Sequence, residues 1–151
     1  MTMIVRRARA GDVDIIFDIR TSVRQNHISR ERLKELGITE QSVGEALELE
    51  VCGWVAECDG AAVAFSMIDS ETGSVFALFV RPAFEGRGLG GLLLREAEQA
   101  LFRSHETIWL ETDAEETVRA NGFYRKAGWQ PVALTAKGEM RYEKTARSSK
   151  T

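Results

Sequence analysis

The sequence predicts one mixed α/β sheet with helices on both faces, and three observations carry that prediction. Seven short runs have strand composition and are separated by segments with helical apolar spacing. An Asp-Gly dipeptide joins two of the runs as an antiparallel hairpin. Further along, a strand–helix–strand succession requires a right-handed parallel crossover. The 151 residues, 44% of them apolar, suffice for one core and leave little for a second.

The elements follow in order. Ile4 to Ala8 reads as the first strand, and Asp12 is placed to cap a helix carrying Val13, Ile16, Phe17 and Val23. Ser29 and Thr39 are N-cap residues for Arg30 to Leu36 and Glu40 to Leu49, with Gly37 ending the first of these. Gly53 to Cys58 and Ala61 to Asp69 form the hairpin about Asp59-Gly60, whose residues tolerate the positive φ of a type I′ turn. Turn chemistry at Ser70 to Gly73 leads into the strand Ser74 to Val80. The following helix places Leu89, Leu92, Leu93, Ala97, Ala100 and Leu101 on one face, and Thr107 to Thr112 is rich in β-branched and aromatic residues. Thr117 to Ala127 is the last helix, stopped by Gly128. Trp129 to Leu134 and Glu139 to Glu143 pair across Ala136-Lys137-Gly138. Residues 1–143 are expected to form one domain and 144–151 a disordered tail.

Composition excludes several classes. The formal net charge is -3 and no Lys/Arg run marks a face, which argues against nucleic-acid binding. Cys52 and Cys58 are too few for a disulfide framework and lack metal-site spacing, so both read as buried strand thiols and no metal is expected. Arg6, Arg7 and Arg9 interrupt any apolar leader, and no apolar run is long enough to span a bilayer. A cytoplasmic location without membrane partners is the resulting expectation.

The most informative stretch is Glu85-Gly86-Arg87-Gly88-Leu89-Gly90-Gly91, which joins an apolar strand to an amphipathic helix. Loop N–H groups and a helix N-terminus can there face one anion together, which is the arrangement of a phosphate cradle. The run is a literal G-x-G-x-x-G, and Glu111 lies about twenty residues beyond it, as a dinucleotide fingerprint asks. Against that reading, Arg81 to Glu85 intervene between strand and loop, and a single crossover follows where two mononucleotide halves are required. A Walker loop is weaker still, because no Gly-Lys-Ser/Thr follows.

The whole pattern resembles the GCN5-related N-acetyltransferase (GNAT) family. Its phosphate motif, Gln/Arg-x-x-Gly-x-Gly/Ala after Val-x-Pro, is matched by Glu85 to Gly90 after Val80-Arg81-Pro82. Its second signature, Ala-x-x-Phe-Tyr-x-x-x-Gly-Phe, is matched by Ala120 to Trp129. Two departures stand out: Glu85 replaces Gln or Arg, and Thr117 stands where many members have Asn. Because the loop binds through main-chain donors, the Glu85 carboxylate is expected to point to solvent.

The resemblance implies a mostly antiparallel sheet of about seven strands and acetyl-CoA as co-substrate. It places the pyrophosphate on N–H groups of Arg87, Gly88, Leu89, Gly90 and Gly91, and the pantetheine beside Phe79 and Val80. Arg87, Arg125 and Lys126 are candidates to add charge, with solvated helix-face cations the alternative for the last two. A main-chain N–H of Phe79 or Val80 would stabilise the developing oxyanion. Tyr124 occupies the position that hydrogen-bonds the departing sulfur; the bland alternative is a core tyrosine packed on Phe123. Many members carry a Glu early in the strand before the loop, where this chain has Ser74-Val75-Phe76-Ala77. The candidate bases are therefore His27 and Glu111. Arg24, Asn26 and His27 are candidates for acceptor recognition, with Trp54, Phe65 and Trp109 as walls, although aromatics at strand positions more often pack in a core.

The leading function is acetyl transfer to a primary amine of a small molecule. A protein lysine or N-terminus as acceptor, a CoA-binding module without turnover, and a nucleotide-dependent oxidoreductase are the alternatives. The resemblance also makes a homodimer an expectation.

Overall fold

The computed structural model describes residues 2–23, 28–113 and 117–146. Its seven strands are β1 (Met3–Arg7), β2 (Gly53–Cys58), β3 (Ala61–Asp69), β4 (Ser74–Val80), β5 (Thr107–Asp113), β6 (Gln130–Leu134) and β7 (Glu139–Thr145). The helices are α1 (Val13–Ser22), α2 (Arg30–Glu35), α3 (Glu40–Leu49), α4 (Leu89–Leu101) and α5 (Thr117–Lys126). One sheet results, in the order β1-β2-β3-β4-β5-β7-β6. β1–β2, β2–β3, β5–β7 and β6–β7 pair antiparallel, and β4 pairs β5 in parallel with Ser74 opposite Trp109. No helix among the described residues is long and apolar enough to cross a membrane.

The chain divides into two compact units, Met1–Met67 with Ala77–Ala97, and Ile68–Phe76 with Glu98–Thr151, so β4 and α4 contribute to both. In the first unit, consecutive residues Val63 to Met67 are all buried, and so are Gly53 to Ala56. A strand buried at successive positions is covered on both faces, whereas a one-sided sheet would alternate. Trp54 and Phe65, expected as pocket walls, are accordingly core residues, 6% and 2% exposed. Gly53 is closely packed: a Cβ there would lie 2.8 Å from Leu47 Cδ2, so the Leu47 side chain would have to shift.

Helix starts follow the local chemistry with one exception. Ser29 accepts the Arg32 N–H, and Thr39 and Ser42 exchange hydrogen bonds in a capping box. Asp12 does not cap α1. Its carboxylate is engaged by the Arg6 guanidinium at 2.8 and 2.9 Å and by the Arg9 N–H at 2.8 Å, closing a 3₁₀ turn ahead of the helix. The Arg6 hydrogen bonds hold the Asp12 carboxyl below its ordinary value. That contribution is present above the unfolded carboxyl pKa near ~4 and is lost as pH falls through the lower native value. Asp12→Asn is expected to cost about 1–2 kcal/mol at pH 7 and to flatten the acid limb of stability. Chemical denaturation between neutral and acid pH reads both, and an unchanged acid limb would reject the assignment.

In the second unit, β7 runs to Thr145, two residues past the expected end of the domain. The extension is held by Lys144, whose Nζ donates to Glu98 Oε1 at 2.9 Å and to the Ala127 carbonyl at 2.7 Å. Cys52 is buried but precedes β2, so only Cys58 is a strand thiol. Pro131 sits on β6, the last strand in the order, where the register with β7 shifts between Pro131 and Ala133. An edge position tolerates the missing N–H.

Candidate active site

The first unit holds the glycine loop. β4 leaves through Arg81, whose N–H donates to the Val63 carbonyl at 2.8 Å, and the turn Pro82–Phe84 follows. Gly86 and Gly88 have φ of +76° and +85°, conformations that side chains disfavour. The Gly88 carbonyl accepts the Leu92 N–H at 3.2 Å and so begins α4. The N–H groups of Leu89, Gly90 and Gly91 therefore lie in the first turn, with no carbonyl of their own helix within reach, at its positive end. Leu89, Leu93, Leu94 and Ala97 are buried and anchor this helix start, each leucine contributing about 2 kcal/mol.

A Cβ placed at Gly86, Gly88 or Gly91 would meet nothing within 4 Å. The loop thus borders open space, as a site for a phosphorylated ligand requires. Glu85 is exposed, as its expected solvent orientation demands. Arg87 is also exposed, with its guanidinium 5.1 Å from the centre of the Phe84 ring.

At the end of β4, Phe79 and Val80 are half-buried. The Phe79 ring lies 5.8 Å from that of Phe65, and the Arg20 guanidinium from α1 stacks over it at 4.2 Å. Burial lowers the Arg20 pKa, so this cation is partly stripped of water. Sequence reading passed over Arg20 because helix cations usually face solvent, and only the packing of α1 shows otherwise.

The second unit holds Tyr124, half-buried on α5. Its ring centre is 5.1 Å from Phe123, 5.4 Å from Tyr142 and 6.2 Å from Trp129. Burial, with a smaller contribution from Tyr142, pushes the phenol up to about 12. Tyr124 is therefore a neutral hydrogen-bond donor at physiological pH and no base. Tyr124 belongs to this aromatic cluster and keeps some exposure.

The loop after α5 is fixed to its neighbours. The Trp129 N–H donates to the Tyr124 carbonyl at 2.9 Å, and its indole Nε1 donates to Glu98 Oε2 at 2.8 Å. Here the tryptophan at the signature's phenylalanine position uses its extra N–H. Glu98 and Lys144 side chains are only 12% and 11% exposed, so their pairing is sheltered from solvent. Glu98→Gln, which keeps an acceptor but removes the charge facing Lys144, is expected to destabilise by about 2 kcal/mol. Thermal unfolding tests this, and an unchanged Tm would show the pair to be energetically idle.

β5 presents two faces. Ile108 and Leu110 are buried, and Leu110 is opposite Tyr142. Trp109 and Glu111 alternate with them and belong to the other face. Trp109 is half-buried, donating its indole N–H to the Thr72 carbonyl at 3.1 Å beneath Arg141, 4.3 Å from the ring centre. Glu111 is exposed, with Arg141 opposite in register. Arg125 and Lys126 are exposed on the last turn of α5. Arg24, Asn26 and His27 lie outside the described residues.

The family profile described as Acetyltransferase (GNAT) domain matches residues 50–131, from the start of the hairpin through the glycine loop to β6. The chain belongs to the GNAT family. A mycothiol acetyltransferase of Beutenbergia cavernae is 33% identical over 89 residues, covering 55% of this chain and 30% of that protein. The GNAT fold is shared with solved structures over nearly the whole length. The PaiA N-acetyltransferase of Thermoplasma acidophilum, in complex with coenzyme A, aligns with a TM-score of 0.77 at 16% identity, covering 96% of this chain and 99% of that one. An N-acetyltransferase of Staphylococcus aureus aligns with a TM-score of 0.76 at 17% identity and the same coverage.

Proposed function

We propose that this GNAT protein transfers the acetyl group of acetyl-CoA directly to a primary amine of a small molecule. The observation that carries the reading is the glycine loop, where two positive-φ glycines deliver the first-turn N–H groups of α4 to open space. In this reading Arg87, Gly88, Leu89, Gly90 and Gly91 bind the pyrophosphate, and Arg125 adds positive potential. Phe79 and Val80 hold the pantetheine and supply a main-chain N–H to the developing oxyanion.

Tyr124 donates its hydroxyl hydrogen bond to the departing sulfur. With the phenol at about 12, full proton transfer to a thiolate of ordinary pKa ~8.5 is uphill by about 5 kcal/mol. The residue therefore acts by hydrogen bonding. The attacking amine loses its proton to His27 or, through water, to Glu111, whose exposure suits exchange with solvent. Arg24, Asn26, His27 and Trp109 are assigned to the acceptor side. The likeness to a mycothiol acetyltransferase is consistent with a small-molecule acceptor. A cytoplasmic homodimer completes the reading, and sedimentation equilibrium tests the assembly.

Calorimetric titration with acetyl-CoA, with CoA and NADH alongside, is the deciding experiment. Binding of acetyl-CoA and CoA without NADH, followed by amine-dependent thiol release, is the expected result. No CoA binding to the folded chain would overturn the reading.

A further inference from the structure

Tyr142 is the one fully buried tyrosine among the described residues, at 0% exposure, and its hydroxyl has no hydrogen-bond partner there. Leaving a buried hydroxyl unpaired costs stability that a phenylalanine of the same shape would keep. Such a group in a native fold calls for an explanation, of which a catalytic role is one. Its surroundings supply one. Tyr142 projects from β7 onto the face of Leu110, and its ring centre is 5.4 Å from that of Tyr124.

Resting on the acetyl-transfer reading, we propose that Tyr142 is a positioning residue for Tyr124, its buried hydroxyl donating a hydrogen bond to the Tyr124 oxygen while the thioester bond breaks. In that step the acceptor nitrogen has already bonded to the thioester carbonyl carbon and given its proton to water. The oxyanion re-forms the carbonyl, the carbon–sulfur bond cleaves, and its electron pair passes to sulfur as CoA thiolate. Tyr124 O–H donates to the sulfur, and the Tyr124 oxygen gains negative charge. Tyr142 O–H donates to that oxygen. The donor hydrogen bond of Tyr142 is thus made where charge develops, and the ground state leaves it unmade. Packing alone explains the ring of Tyr142 but not its hydroxyl.

Hydroxylamine is a suitable probe acceptor, because it is small and largely neutral at pH 7 and so needs neither a fitted acceptor pocket nor a base. Thiol release from acetyl-CoA with hydroxylamine is measured for the full chain, Tyr142→Phe, Tyr124→Phe and the double variant, together with acetyl-CoA affinity and Tm. Tyr142→Phe is expected to lower the catalysed rate about fivefold, with acetyl-CoA affinity kept and Tm unchanged or raised. In the Tyr124→Phe background the same change is expected to have no effect, since its route of action is gone.

An undiminished rate in Tyr142→Phe, an equal loss in the Tyr124→Phe background, or a loss that parallels a fall in Tm would each overturn the proposal. Acetyl-CoA binding by the parent protein without acceleration of hydroxylamine would also overturn it, leaving the donor site standing. Absence of acetyl-CoA binding would remove the acetyl-transfer reading itself.

Discussion

Gly88→Asp is expected to weaken acetyl-CoA binding by about a hundredfold or more, through two separable causes. The first is conformational. With φ at +85°, Gly88 occupies a region that costs an L-residue about 1–2 kcal/mol. The loop relieves this strain by turning its N–H groups away from the start of α4. The second cause is electrostatic, because a carboxylate at that helix start competes with a phosphate for the same donors. Gly88→Ala isolates the first cause and is expected to lose less affinity than Gly88→Asp. Beyond its own chain neighbours no atom lies within 4 Å of the added Cβ, so a clash with packed elements is not an alternative route. Calorimetry with acetyl-CoA reads the difference, and equal affinities for the parent and Gly88→Asp would remove the phosphate-cradle assignment.

Tyr124→Phe is expected to lower turnover roughly ten- to hundredfold, the range of a hydrogen bond to a charged group, while acetyl-CoA affinity stays within about twofold of the parent, less than a neutral hydrogen bond is worth. The split arises because the hydrogen bond strengthens only as sulfur acquires charge, so it lowers the barrier more than it binds the ground state. The raised phenol pKa gives a second signature. Since Tyr124 remains protonated until about pH 12, its ionisation produces no alkaline fall in rate near pH 10. Steady-state kinetics across pH tests both features. A loss confined to the acetyl-CoA KM would make Tyr124 a binding residue, and undiminished turnover would return it to the aromatic cluster alone.

The fold was legible where the determining chemistry is local. β2, β3, β4, α3 and α4 occur at the residues expected, and the Asp59-Gly60 turn has the positive φ values, 52° and 86°, that a type I′ hairpin requires. Boundaries moved where a distant residue intervened, as at Lys144, which Glu98 and the Ala127 carbonyl hold in β7. For Trp54 and Phe65 composition left wall and core both open, because a strand covered on both faces and one lining a cavity can share it, and burial decides for the core.

By itself the sequence determined the element order, the positive-φ glycines Gly86 and Gly88, and the helix caps at Ser29 and Thr39. Each depends on backbone conformation or hydrogen bonding within a few residues, which local composition controls. Only the tertiary structure decided that Asp12 serves Arg6 instead of α1, that Arg20 stacks on Phe79, that Glu98 joins Trp129 to Lys144, and that the Tyr142 hydroxyl is buried with no partner among the described residues. Those outcomes are set by strand register and helix packing between residues far apart in the chain, where the same side chain lies in solvent or in the core according to what the fold lays against it.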